Sequence, residues 1–316
     1  MGDSKIGDVS SDGDGRRSVA DPSTDVKIPD EARSALVHTK VTCPFLGPAV
    51  AMERLPVRND VANPLADIED LRRLGNSGGG DLGEVLVLFA TGNHLAMRSE
   101  GGTLDARVPR GLFSLELPGS QGSHFGHSGV LQGNPKELDS GRFSASDFAR
   151  LTGQAKSGFI KRSDVGRFIA ENLRRDPNSR VFGSSAAKLL LTDLGSFVAN
   201  IGPAALGKLS DRSDHAAETH RDLEQKLTKL LGDDNLVGSA GEFGLLFAFL
   251  ANKPDAREED GEPTVSVSDL EIMFVQKKLP SGWELWRKTR VDWVKNTTAL
   301  LISAGREYLK LKGQVP

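Results

Sequence analysis

Apolar residues recur at helical spacing through most of the chain beyond residue 35. Leu65, Ile68, Leu71 and Leu74 follow Asn63-Pro64, a capping residue and a first-turn proline, and Gly75 stops the run. Asp81 with Glu84 three residues on reads as a capping box opening Val85-Leu86-Val87-Leu88-Phe89, which leads to His94. Phe168, Ile169 and Leu173 form one stripe. Leu189, Leu190, Leu194, Phe197, Val198 and Ile201 form a more buried one, and Leu223, Leu227, Leu230 and Leu231 an amphipathic third that ends at Gly232. Ser239 opens a strongly apolar helix from Phe243 to Leu250, and Ser268 another that ends before Leu279-Pro280. A last helix covers Val291 to Leu311. No β-α-β alternation appears, so the pattern predicts an all-α domain.

Elsewhere the periodicity lapses. Residues 1–35 are rich in Gly, Ser and Asp and read as a disordered tail, leaving 36–316 as one domain. Residues 99–142 are rich in Gly and Pro, a long loop of the kind that carries function. Gly78-Gly79-Gly80 is a loop without the lysine and hydroxyl of a phosphate cradle. Two similar phrases, from Gly141 to Phe148 and from Gly158 to Val165, each read as a short extended piece entering a capped helix. They resemble half an EF-hand loop, but Lys136, Gly153 and Ala155 stand where carboxylates belong, which argues against calcium.

Composition narrows the classes. The net charge of −3 argues against general affinity for nucleic acid or anionic membrane. No apolar run approaches the ~18 residues of a membrane span. The polar, acidic start lacks the apolar core of a signal peptide, which points to an intracellular protein. One cysteine in 316 residues cannot form an intramolecular disulfide.

That cysteine lies in Thr42-Cys43-Pro44-Phe45-Leu46, which runs on to Leu55-Pro56. Pro44 suits the first position of a helix, which puts Cys43 at the N-cap. Free N–H groups and the helix dipole would there favour a thiolate, able to act as nucleophile or metal ligand. Cys-Pro-x-Leu followed by Leu-Pro resembles the proximal loop of the haem-thiolate chloroperoxidase and unspecific peroxygenase family, although Thr42 replaces the family's first proline. The resemblance implies a single helical domain of chloroperoxidase type binding haem b. Cys43 would be the axial iron ligand, and Pro44, Phe45 and Leu46 would lie against the cofactor. Such a thiolate pushes electron density onto iron and favours O–O cleavage.

Three later stretches extend the resemblance. Phe125-Gly126-His127-Ser128-Gly129 is similar to the family's Glu-His-Asp segment, which implies a distal role for His127. Gly126 and Ser128 replace its carboxylates, so the family's magnesium or manganese site is expected to be weakened or lost. Ser239-Ala-Gly-Glu242-Phe243 resembles the helix that presents the catalytic glutamate. A carboxylate there can take the proton from one peroxide oxygen and return it to the other. The same residues also spell a capping box, in which Glu242 would only bond back to its helix start. Lys278-Leu279-Pro280-Ser281-Gly282-Trp283 resembles the Leu-Pro…Gly-Trp signature near the end of family members.

The resemblance implies a peroxidase or peroxygenase using hydrogen peroxide and a small organic substrate. Two other classes stay open: a haem carrier or sensor on the same fold, and a cofactor-free thiol enzyme. For the latter, Cys43 would pair with His38, His94, His124 or His127. His215 and His220 sit on a polar helix start and read as solvated.

Overall fold

The computed structural model describes residues 27–59, 61–62, 64–93, 111–115, 143–175, 179, 181, 235–250 and 252–313. Of these residues 59% are helical and 11% lie in strands. The helices are α1 (Asp30–Thr39), α2 (Leu46–Ala51), α3 (Ile68–Gly75), α4 (Gly83–Asn93), α5 (Ala145–Thr152), α6 (Arg162–Arg175), α7 (Asn235–Leu250), α8 (Val267–Leu270) and α9 (Arg290–Leu311). The all-α expectation needs correction, because two small antiparallel sheets are present as well.

The apolar stripes pack as their spacing requires. Helix α7 lies against both α9 and α6, and α6 against α9. Of α7's sixteen residues only Glu242 and Leu245 escape full burial. Small residues bring these helices close: a side chain on Gly244 would run into Thr297 of α9, and one on Gly166 into Ser303. The indole of Trp293 donates to the carbonyl of Gly241 at 3.0 Å, tying α9 to α7. Phe168, Ile169 and Leu173 of α6 are all buried, as their stripe predicts. Each such side chain contributes roughly 1.5–3 kcal/mol.

Both sheets arise where polar chemistry overrides helical spacing. The Asn63-Pro64 helix start is not realised: β2 (Pro64–Asp67) is the central strand between β1 (Arg58–Asn59) and β3 (Leu112–Ser114). Proline is tolerated as the first residue of a strand. Asp67 caps α3 instead, accepting from the Glu69 N–H at 2.7 Å. Nor does the Asp81/Glu84 box form. Asp81 accepts from the backbone and side chain of Arg290, and Glu84 pairs with Arg72. The second sheet orders β4 (Phe159–Lys161), β6 (Glu262–Ser266) and β5 (Glu258–Glu259). Of the two extended-to-helix phrases, the first ends in an extended Ser144 that caps α5, and in the second β4 leads into α6. Helix α8 begins under Ser266, whose hydroxyl accepts from the Asp269 N–H, and continues as a π turn over Glu271–Val275. At the front, α1 claims residues expected to belong to the tail, and Ile28 is already buried. Residues 1–26 and the two stripes between 189 and 231 lie outside the described residues.

The segment between α8 and α9 closes over the front of the molecule. Gly78 has φ +70°, and a β-carbon there would sit 2.3 Å from the Trp286 carbonyl oxygen. The glycine run is thus a surface on which residues 285–288 lie. Lys288, fully buried, donates to the carbonyls of Trp283 at 2.7 Å and Trp286 at 2.8 Å. Its ammonium also sits 5.3 Å from the centre of a Trp283 ring. Burial pushes Lys288 down to about 8. The unfolded chain therefore holds more protons than the folded one between pH 8 and about 10.5, and stability rises with pH across that window. Relative to Lys288→Met, the wild type should gain on the order of 2 kcal/mol between pH 8 and 10.5 in denaturant titrations. Parallel pH profiles for the two proteins would contradict the assignment.

Candidate functional site

Cys43 lies where α1, α2, α7 and the 277–283 segment meet. The expected helix start at Pro44 is displaced by two residues. The Gly47 N–H does bond to the Cys43 carbonyl at 2.9 Å, but Pro48 has no N–H to offer Pro44. Continuous α-helix therefore begins at Leu46, with Phe45 at the N-cap, and Cys43 stands ahead of it in a turn. The half-buried thiol still receives the backbone N–H groups of Leu46 and Phe45.

Those donors do not make a thiolate by themselves. Burial raises Cys43 above the ordinary thiol range, and the nearby Glu242 carboxylate raises it further. The two N–H groups and the Lys277 ammonium act in the opposite sense without overcoming burial. The expectation of a free, dipole-stabilised thiolate is corrected accordingly. A metal would have to displace the proton, as coordination does for thiols.

Glu242 is freed from its capping role. Helix α7 starts no later than Asn235, so Ser239 is interior and bonds back to the Asn235 carbonyl at 2.6 Å. Glu242 lies a further turn along, half-buried, with its Oε2 atom shielded from water. The other incompletely buried position on α7 is Leu245, three residues on and on the same face.

Around them, stretches far apart in sequence converge. The Phe45 ring meets Phe249 of α7 at 5.3 Å and Trp283 at 6.4 Å, both edge-on. The Leu279 N–H donates to the Met52 sulfur at 3.1 Å. Lys277, only 3% exposed, donates to the Thr42 carbonyl at 2.9 Å. Pro44 and Leu46 flank the same turn, Leu46 buried. Three of the four stretches singled out in sequence thus meet. The fourth does not enter the description: His127, like His94 and His124, lies outside the described residues. His38 turns away, exposed, with Nδ1 2.8 Å from the Ser34 carbonyl of its own helix.

Lys277 is the residue that sequence reasoning missed. It occupies the left-handed stop of the α8 π turn, φ +51°, where the Lys278 N–H reaches back to the Ile272 carbonyl at 3.0 Å. Glycine is the usual occupant of such a stop, and a side chain there costs roughly 1–2 kcal/mol. Burial also pushes its ammonium down to about 8, offset in part by Cys43. In sequence nothing distinguishes it from its neighbour Lys278.

Two cavities flank the Leu55-Pro56 end of the loop, about 570 Å³ beside Arg54, Arg58 and Trp283 and about 240 Å³ beside Ile28 and Val50; Cys43 and Glu242 line neither. Among the described residues no group of three or more His, Cys, Asp or Glu could hold a metal ion. No helix of the described residues is long and apolar enough to cross a membrane.

Because the Glu242 carboxylate raises Cys43, Glu242→Gln should move the pH profile of Cys43 alkylation in the metal-free protein to lower pH. An unmoved profile would mean that the two groups do not sense each other. No protein-family model, curated protein or solved structure matches the chain.

Proposed function

We propose that this protein is a haem-thiolate peroxidase or peroxygenase, with the Cys43 sulfur as the iron's protein ligand and Glu242 as its acid–base group. The observation that carries the reading is that Cys43 and Glu242, residues 199 apart by number (242 − 43), lie near enough for the carboxylate to act on the thiol, beside rings of Phe45, Phe249 and Trp283.

What suits the group is the immediate setting of the sulfur, although neither described cavity reaches it. A single sulfur with two backbone N–H donors is the second-shell pattern that tunes thiolate ligation to iron. Bound haem would supply the iron at which peroxide is taken up and its O–O bond cleaved. Glu242 would accept the proton of one peroxide oxygen and deliver it to the other. Apolar neighbours on its helix keep bulk water from that exchange. By resemblance His127 would orient Glu242 or share its proton. A thiol enzyme is favoured less: burial raises Cys43, and the described histidine turns away from it.

Reduced, CO-treated protein loaded with haem should absorb near ~450 nm, the band of thiolate ligation. Cys43→Ala should lose it, and the absence of any Soret band in the wild type would end the haem reading. Glu242→Gln should retain the band and lose at least ~100-fold in peroxide-dependent dye oxidation. Equal rates would assign the protein to haem carriage.

A further inference from the structure

We infer that the cavity of about 570 Å³ beside Arg54, Arg58 and Trp283 is a binding site for a small organic carboxylate. Cys43 and Glu242 do not line it, so the inference stands apart from the haem reading. Its wall comes from three stretches far apart in sequence, residues 54–58, 70–77 and 283–284.

Charge sets what the cavity can hold. The wall carries three guanidiniums, Arg54, Arg58 and Arg73, and two carboxylates, Asp70 and Glu284, which leaves one positive charge (3 − 2). Asp70 is the fixed anion. Only 10% of its side chain is exposed, and it pairs with Arg58 at 3.3 Å and with Arg73, one turn further along α3. Arg54 meets Glu284 at 2.8 Å, and both of these side chains reach solvent. An exposed pair of this kind holds weakly, so Arg54 can exchange Glu284 for an incoming carboxylate at little cost. The guanidinium fork receives a carboxylate through two parallel N–H bonds. One monoanion balances this wall, and a phosphate dianion would overshoot it.

The rest of the wall favours an organic body over a bare ion. Pro56, Leu74 and Trp283 place apolar surface beside the charges, and the volume lies within the roughly 300–1,000 Å³ of small-molecule sites. Two donors of the wall, the Ser77 hydroxyl and the Trp283 indole N–H, have no acceptor among the described residues. Buried donors are nearly always satisfied, so this wall has unmet capacity for oxygen. Both atoms are screened from water as they stand; the Ser77 hydroxyl needs only a turn about its one side-chain torsion to serve a ligand.

Calorimetric titration of the full chain without haem, at neutral pH and low salt, tests this with benzoate, its neutral counterpart benzamide, and inorganic phosphate. Benzoate should bind the wild type, and benzamide should bind at least ~10-fold more weakly. Arg54→Gln should weaken benzoate at least ~10-fold. Glu284→Gln releases Arg54 and should tighten benzoate at least ~3-fold, a change that loss of a merely structural ion pair would not produce. No benzoate binding to wild type or to Glu284→Gln at about 10 mM would overturn the inference, as would equal affinities in the three proteins. Benzamide matching benzoate would reject recognition by charge. Phosphate bound more tightly than benzoate would assign the cavity to inorganic anions and reject the carboxylate. None of these results depends on whether Cys43 binds haem, which the CO spectrum reads separately.

Discussion

The Phe45 ring is the joint on which the front of this molecule turns. It lies two residues past Cys43 and packs edge-on against Phe249 of α7 and Trp283 of the closing segment. Those contacts fix where the cysteine turn sits relative to the helix that carries Glu242. Edge-on aromatic pairs are worth about 0.5–1.5 kcal/mol each beyond their burial, and they constrain direction as well as distance.

The closing segment is held by unusual means. Lys288 is buried among indoles and peptide carbonyls, and Lys277 against the Thr42 carbonyl. Two buried ammonium groups within eleven residues oppose stability, since each must give up hydration. The segment gains specificity in exchange: each lysine's donors match carbonyls at one position of the chain. The glycines at 78 and 80 complete the fit by letting the opposing backbone come within contact of their α-carbons.

How far this was legible in the sequence depended on which force governed each stretch. Helices with strong apolar stripes, such as α6 and α9, appeared where spacing placed them, because burial decides them. Starts and stops failed wherever two polar groups competed for one role. Asp67, three residues beyond Pro64, caps α3. Asp81 was taken by Arg290, and Ser239 was swallowed by a helix that began at least four residues earlier. Strands of two to five residues, several of them polar, have too little period to be seen. The Cys43 turn was legible as a place but not in its geometry. The proline that seemed to open the helix was overruled by a second, Pro48, that lacks the N–H to continue it. Lys277 was invisible because its importance lies in a backbone angle and a contact 235 residues away.

Cys43 lies within electrostatic reach of Glu242 and of the buried Lys277 among apolar rings, and burial keeps the thiol protonated until something displaces its proton. Iron-edge X-ray absorption on protein loaded with haem tests directly whether that sulfur becomes the iron's ligand, as proposed. One sulfur scatterer beside the porphyrin nitrogens, lost in Cys43→Ser, is the predicted spectrum. A coordination shell of nitrogen and oxygen alone would contradict the account.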